Sequence, residues 1–364
     1  LIIFGWRRYS DLTREVRERR RAEAEARQLA ETDPLTGLLN RRSFTAAAAN
    51  AVAEAFATHQ GAAVLMFDLD NFKQINDLNG QTVGDRILAE TSRRIAAHAP
   101  ADAVIARLGG DEFACMVLYD RRQPEKLDQL AAAILEAVGR PIDCDGKSID
   151  ISISAGVARM TEHADLQDPS ECAQALLHRA DIAMYHAKKQ GRNRYAWFEP
   201  TMESELRFRN EIETGIRRGI PNGEFVPYYE QQIDLETGEL VGFEMLARWN
   251  SPQFGLVSPE IFIPIAEEIG LIGELSENLI VQALRDAKQW DPKLSLSVNI
   301  SPLQLRDPWF SQKLLRLLVE NGFPPNRLDI EITESCLHEN IGVVRSVVAS
   351  LKNQGIQISL DDFG

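Results

Sequence analysis

Carboxylates at the ends of apolar runs are the residues of this sequence best suited to chemistry. Asp68 follows Val64-Leu65-Met66-Phe67, and about forty residues later Asp111 and Glu112 follow a Gly109-Gly110 turn. Glycine there permits the turn and lets backbone approach phosphate closely. Two carboxylates plus a backbone oxygen suit Mg²⁺, which binds carboxylates and triphosphate oxygens together. Positioning and charge neutralisation are most of what phosphoryl transfer requires. In the C-terminal half, Glu244, Asn299, Glu331 and Asp361 occupy the last positions of four separate apolar runs. Three carboxylates and an amide are hard oxygen ligands, fit for Mg²⁺ or Mn²⁺. Such ions can generate hydroxide and clamp a phosphodiester. Two acidic metal sites in one chain point to two phosphoryl-transfer activities.

The elements that must position these residues follow from periodicity. Between Thr32 and Pro200 the pattern predicts helices over Arg41–Phe56, Asp85–Ala99, Lys126–Val138 and Ala173–Lys189. It predicts strands over Ala62–Phe67 and Ile149–Val157, and a hairpin of Val104–Leu108 with Phe113–Leu118. Mixed order with an antiparallel hairpin implies an α+β domain, an antiparallel sheet flanked by helices. A charged helix, Thr201–Arg218, joins the halves. Strands are then predicted at Phe225–Tyr229, Leu240–Ala247, Leu294–Ile300, Leu328–Ile332 and Ile356–Leu360, mostly separated by helices. That is the rhythm of a (β/α) barrel, whose active sites lie at the C-terminal ends of the strands. A full barrel takes about 250 residues, so residues 201–364 read as an incomplete one, and the sequence looks cut off at both ends.

The length of 364 residues fits two to three domains. With 44% hydrophobic and 26% charged residues most of the chain reads as globular. A net charge of −14 argues against binding a nucleic-acid polymer, whose partners present basic surfaces. The four cysteines are widely spaced with no CxxC pair, which fits a reducing compartment. Residues 1–8, apolar up to Trp6 and then Arg7-Arg8, read as the cytoplasmic end of a transmembrane helix. Residues 9–31, rich in Arg, Glu and Ala, form a linker or signalling helix. They fit a solvated helix and a weak parallel coiled coil equally.

Further motifs surround the first site. Asp33-Pro34-Leu35-Thr36-Gly37-Leu38-Leu39-Asn40-Arg41-Arg42 opens residues 32–200, Asp68-Leu69-Asp70-Asn71-Phe72-Lys73-Gln74-Ile75-Asn76-Asp77 and Gly84-Asp85 follow, and Ala187-Lys188-Lys189-Gln190-Gly191-Arg192-Asn193-Arg194 closes the segment. With Gly109-Gly110-Asp111-Glu112-Phe113 they resemble the GGDEF family of diguanylate cyclases. The resemblance implies that two GTP condense to cyclic di-GMP, one GTP held by each subunit of a homodimer. It implies that Asp68, the Leu69 carbonyl and Asp111 hold the metal, and that Glu112 is a catalytic group acting near the 3′-hydroxyl. Asn76 and Asp85 would read guanine, whose N1–H and N2–H₂ edge suits acceptors. Phe72, Gly109 and Gly110 would also meet substrate. Lys188 and Arg192, one helical turn apart, would meet phosphates from one face. Gln81 stands where the family often has His. The product-inhibition motif RxxD is replaced by Pro100-Ala101-Asp102-Ala103, so product inhibition there is expected to be absent.

The second half carries Gln231-Gln232-Ile233, Glu244-Met245-Leu246-Ala247-Arg248-Trp249, Ser297-Val298-Asn299-Ile300-Ser301, Glu331-Ile332-Thr333-Glu334-Ser335 and Asp361-Asp362-Phe363-Gly364. These resemble the EAL family of cyclic di-GMP phosphodiesterases, across residues 201–364. The resemblance implies hydrolysis to the linear dinucleotide on one or two metals held by Glu244, Asn299, Glu331 and Asp361. Asp362 would serve a second metal or the attacking water, Glu334 would steady the loop after Asp361, and Gln231 and Arg248 would contact substrate. Gln232 replaces the usual proline. The family continues beyond Gly364, so these 364 residues alone are expected to be a poor phosphodiesterase. The combined expectation is a cyclic di-GMP enzyme at the bacterial inner membrane, its catalytic domains cytoplasmic. The alternative is a nucleotide-binding module in which one domain is silent and controls the other.

Overall fold

The computed structural model describes residues 30–160, 168–333 and 341–361. The predicted membrane-proximal segment 1–8 and nearly all of the helix 9–31 lie outside them, as do Glu334, Cys336, Asp362 and the side chain of Asp361. Among the described residues no helix is long and apolar enough to cross a membrane. The chain divides into two compact units, residues 1–206 and 207–364.

In the first unit β1 (Gly61–Leu69) is the central strand of a five-stranded sheet. Its nine residues are all buried, because both faces are covered. Ala63, Leu65, Phe67 and Leu69 pack into one core, and Ala62, Val64 and Met66 into the other. β2 (Val104–Gly109) and β3 (Glu112–Tyr119) form the hairpin the sequence predicts, one residue longer at each side of the Gly-Gly turn. β3 and β6 (Ile153–Arg159) flank β1 antiparallel, and β7 (Tyr195–Trp197) runs parallel to β6. α1 (Arg41–Thr58) and α5 (Pro169–Lys189) contribute to the core on one face. α3 (Gln81–His98) and α4 (Glu125–Val138) contribute to the other. Four short elements escape the periodicity: the eight-residue helix α2 (Phe72–Asn79), the hairpin β4 (Ile142–Cys144) with β5 (Lys147–Ile149), and β7. The predicted strand 149–157 is correspondingly shifted, since its first residue closes that hairpin.

Helix α5 reaches the sheet by backbone contact. A Cβ at Gly156 would lie 1.9 Å from the Ala180 carbonyl oxygen and 2.2 Å from the Met184 nitrogen. The three described cysteines are all free and buried, and burial pushes the Cys115 thiol up to about 12.

α6 (Pro200–Gly219) joins the units in sequence. The second unit begins with β8 (Phe225–Ile233), antiparallel to β9 (Leu240–Ser251), which also pairs with β10 (Gly255–Val257). From β9 a parallel sheet extends through β11 (Ser295–Asn299), β12 (Leu328–Thr333) and β13 (Gln357–Asp361). The strand positions agree with the sequence pattern, although β8 and β9 each run four residues further. α7 (Pro259–Glu268), α8 (Ile272–Ala287), α9 (Pro302–Leu305), α10 (Phe310–Asn321) and α11 (Ile341–Asn353) connect them. On one face of the β8–β9 pair, Tyr229 and Phe243 meet Trp290, and Tyr229 donates to Asp286 on α8. The other face carries the polar residues described next.

Candidate functional sites

The alternation of β1 places Asp68 on the α1/α5 face of the sheet. Its antiparallel partner across the register is Glu112, so both carboxylates lie on that face. Asp68 is only 7% exposed. Lys188, in the last turn of α5, brings Nζ to 2.5 Å from Asp68 Oδ1. That pair is a charge contact, since among the described residues Oδ1 has no hydrogen bond of ordinary geometry. Burial pushes the Asp68 carboxyl up to about 6; Lys188 pulls it down, while the charges of Asp111 and Glu112 push it further up.

The turn that carries Asp111 is anchored from three sides. Gly110 sits at φ 54°, in the left-handed region that glycine enters without strain. The Arg107 guanidinium donates to the Gly110 carbonyl at 3.0 and 2.7 Å and pairs with Asp33 at 3.1 Å. Burial alone would raise the Asp33 carboxyl, but hydrogen bonds from Thr36 and the pairing with Arg107 hold it below its ordinary value. Arg41 pairs with Glu112 at 3.0 Å and donates to the Leu108 carbonyl. Leu69 donates its N–H to the Asp111 carbonyl at 3.4 Å. The sequence motifs do not single out Arg107; its signal is its position two residues before the turn.

Beside this, Gly84 on α3 is packed against α2. A Cβ there would lie 1.9 Å from Asn76 Oδ1 and 3.2 Å from Phe72 Cζ. Asn76 Oδ1 is buried with no hydrogen-bond partner among the described residues, an acceptor that a bound donor would satisfy. Asp85 follows Gly84 on the same helix. Asp70, also buried, accepts from Ser152, Ser154 and the Asn193 N–H, tying the end of β1 to the segment after α5. The helical spacing expected of Lys188 and Arg192 is corrected. α5 ends at Lys189, Gly191 has φ 112°, and Arg192 lies at φ 60°. Arg192 therefore occupies a left-handed turn rather than the helix face that carries Lys188.

A cavity of about 670 Å³ in this unit lies elsewhere, lined by Asp128, Arg159, Arg179, Trp197 and Phe198 among others. Its basic groups are already engaged, Arg159 over the Trp197 ring and Arg179 over Phe198, and Asp128 accepts from Trp197. Nothing there rivals the acidic group at Asp68.

In the second unit the pairings bring Glu244, Ser297, Asn299 and Glu331 to one face. Asn299 Nδ2 donates to Glu244 Oε1 at 2.7 Å, and Gln232 Nε2 to Glu331 Oε1 at 3.1 Å. Burial pushes the Glu331 carboxyl up to about 7; the Glu244 charge adds to this, and bonds from Gln232 and Ser297 oppose it. A cavity of about 300 Å³ opens here, lined by Arg248, Asn299, Glu331, Glu267 and Ser301 among others. Arg248 lies over the Tyr228 ring and donates to the Ala247 carbonyl.

Two expectations change. Glu244 is not at a strand end: it is the fifth residue of twelve in β9. Only Gly242–Met245 of β9 pairs with β11, and the strand then continues against β8 and β10. Glu244 thus lies one residue before the end of the parallel segment and well short of the end of the strand. Gln231 pairs with Phe243, on the face of β8 opposite Glu244, while Gln232 faces the carboxylates. Asp361 closes β13 at the register of Thr333.

Both sites suit a divalent cation by donor chemistry, since at each a carboxyl is raised first by burial and then by the charge of neighbouring carboxylates. Among the described residues, however, no group of three or more His, Cys, Asp or Glu side chains is assembled as a metal cage. A cation at either site would need substrate oxygens or further residues to complete its coordination.

Known proteins answer to the same two units. Residues 30–194 match the family model described as diguanylate cyclase, GGDEF domain, and residues 213–364 match the EAL domain. The chain is a GGDEF–EAL protein. It is 36% identical over 353 residues to the cyclic di-GMP phosphodiesterase PdeR of Escherichia coli, covering 96% of this chain and 52% of PdeR. It is 34% identical over 348 residues to the bifunctional diguanylate cyclase/cyclic di-GMP phosphodiesterase MucR of Pseudomonas aeruginosa, covering 94% of this chain and 50% of MucR. This GGDEF–EAL chain thus spans about half the length of the curated relatives it matches. A GGDEF–EAL structure of Vibrio cholerae LapD, bound to c-di-GMP, superposes with a TM-score of 0.54 over 96% of this chain and 80% of that one, at 18% identity. It shares the fold.

Proposed function

We propose that the GGDEF unit condenses two GTP to cyclic di-GMP and that the EAL unit of the whole protein hydrolyses cyclic di-GMP to the linear dinucleotide. In the first reaction the 3′-oxygen of one GTP attacks the α-phosphorus of the other and pyrophosphate leaves, twice over. In the second, water attacks one phosphorus and the bond to a 3′-oxygen breaks. Mg²⁺ or Mn²⁺ would supply charge neutralisation at both sites and a more acidic water at the second. Asp68, the Leu69 carbonyl and Asp111 would hold it in the first. Glu244, Asn299, Glu331 and Asp361 would hold it in the second, with Asp362 serving a second ion or the water. Glu112 would act at the 3′-hydroxyl, and Asn76 would accept from guanine beside Phe72 and Asp85. Lys188 and Arg192 would meet phosphates from different backbone settings, and Gly109 and Gly110 would let the triphosphate lie against the turn. In the second site Arg248 lines the cavity a phosphodiester would enter.

The observation that carries this reading is the buried Asp68, raised to about 6 beside Asp111 and Glu112 and faced by a lysine. That charge pattern suits a metal-bound anionic substrate. Two GTP meeting across two copies make a homodimer the working form of the cyclase. The parallel strands β9, β11, β12 and β13 would be part of a (β/α) barrel. Residues 9–31 would form the linker helix, following a membrane anchor, with domains 32–200 and 201–364 on the cytoplasmic side. A second reading, one silent domain controlling the other, is favoured by PdeR, whose name records hydrolysis alone.

The test is to incubate the protein with GTP and Mg²⁺ at a concentration where it dimerises and to separate the nucleotides. Cyclic di-GMP that disappears in Asp111→Ala supports the cyclase. Unchanged GTP would favour the second reading.

A further inference from the structure

Among the described residues, Gln232 is the one polar side chain of β8 that touches a candidate metal ligand. Its Nε2 donates to Glu331 Oε1 at 3.1 Å, and its Oε1 accepts from the Ser297 hydroxyl at 2.9 Å. Ser297 is 1% exposed. Turned round, the amide would set its oxygen against a carboxylate oxygen of Glu331, so the ionised carboxylate selects the orientation in which the NH₂ group faces it. Ser297 holds the other end of the amide, and the amide holds the carboxylate. Asn299 treats Glu244 the same way, giving it one amide N–H at 2.7 Å.

We propose that Gln232 is a positioning residue for metal binding at the second site, holding Glu331 by one oxygen with a neutral donor. The proposal rests on reading Glu331 as a metal ligand. One oxygen of Glu331 is occupied by the amide, so the other is left to meet a cation in a fixed orientation. Because the donor is neutral, orientation is gained without supplying the positive charge that would compete with the metal. A lysine at the same place would orient the carboxylate equally well and cancel its charge. Outer hydrogen-bond partners of ligating groups typically matter by about 10–100-fold in metal affinity, which is the scale of effect to look for. Nothing in the run Gln231-Gln232-Ile233 singles out this residue; it is chosen by facing Glu331 across the sheet, whereas Gln231 faces away.

The test is Mn²⁺ binding to the full chain, followed by titration calorimetry, with Asp111→Ala present throughout to silence the first site. Gln232→Met keeps the side-chain length and removes both hydrogen bonds. The expected result is an affinity about tenfold weaker, with the melting temperature of the metal-free protein held. Gln232→Lys should weaken binding further. Ser297→Ala should cost a few-fold alone and less in the Gln232→Met background, because part of its effect runs through the amide and the rest through its own bond to Glu331. If Glu331→Gln abolishes binding while Gln232→Met binds as the parent does, the proposal is overturned and the ligand role of Glu331 stands. If Glu331→Gln binds Mn²⁺ unchanged, both fail. Should Gln232→Met not fold, Ser297→Ala decides: unchanged affinity there overturns the relay.

Discussion

The two acidic sites solve one electrostatic problem in two ways. In the GGDEF unit the buried carboxylate Asp68 faces a cation, Lys188. In the EAL unit Glu331 and Glu244 face the amides of Gln232 and Asn299. The first arrangement is a short antiparallel meeting of strand ends, with the lysine delivered by a helix packed directly on the sheet. The second is a row of parallel strands presenting ligands side by side. The contrast is one of charge: a lysine neutralises the carboxylate it faces, whereas amides orient a carboxylate and leave its negative charge for a cation to satisfy.

Removing the lysine should break the contrast most strongly. Lys188→Gln makes the first site resemble the second. Turnover of GTP is expected to fall by about 10²-fold, the scale of losing one pre-placed charge on a phosphoryl group, while Mn²⁺ binding without nucleotide tightens. Steady-state rates and calorimetry check both; weaker metal binding in that variant would count against Lys188 as the competing cation.

The placement of Lys188 depends on Gly156. Any side chain there meets helix backbone at Ala180 and Met184, which cannot yield as a side-chain tip can. Gly156→Ala should therefore destabilise the first unit by about 1–3 kcal/mol, read from denaturant unfolding. An unchanged midpoint would mean that α5 moves freely and does not fix the lysine.

Gly84→Ala should do the opposite. Its nearest obstruction is the end of the Asn76 side chain, and alanine favours a helix interior over glycine by about 1 kcal/mol. Stability is expected to hold, while the KM for GTP rises several-fold as Asn76 is displaced. A KM unchanged with normal folding would remove Asn76 from guanine recognition.

The smallest effects are in pH. Both carboxyls have folded values above their ordinary ones, Asp68 about 6 against 3.8 and Glu331 about 7 against 4.5. A group raised in the folded state binds its proton more tightly there. Its stability contribution is complete below the unfolded value and is lost as pH rises through the folded one. Metal-free protein should thus weaken slightly between about pH 4 and 7, and Glu331→Gln should flatten the upper part of that slope. Metal binding requires the ionised form, so Mn²⁺ affinity should climb through about pH 6 at the first site and about pH 7 at the second. Coincident profiles would show that the two environments do not differ as the lysine and the amides imply.

Much of this architecture is legible in the amino-acid pattern. β1 is a long apolar run because both of its faces are buried, and the hairpin announces itself by Gly109-Gly110. Three parallel strands of the second unit, β11, β12 and β13, are short apolar segments that each end at or near a candidate ligand. What the pattern does not show depends on things that periodicity cannot carry. α2 is only eight residues long. β8 runs regularly to Gln232, so neighbouring glutamines face opposite ways and Gln232, not Gln231, reaches the carboxylates. β9 continues past its parallel partner, leaving Glu244 in mid-strand. Arg192 lies beyond the helix because Gly191 breaks it, so counting one turn from Lys188 misplaces it.

The most direct test of two independent sites is a crossed assay in the whole protein, following cyclic di-GMP made from GTP and linear dinucleotide released from added cyclic di-GMP. Asp111→Ala should abolish synthesis and spare hydrolysis, and Glu331→Gln should spare synthesis and abolish hydrolysis. Loss of both activities in either variant, or survival of both in each, would contradict the account.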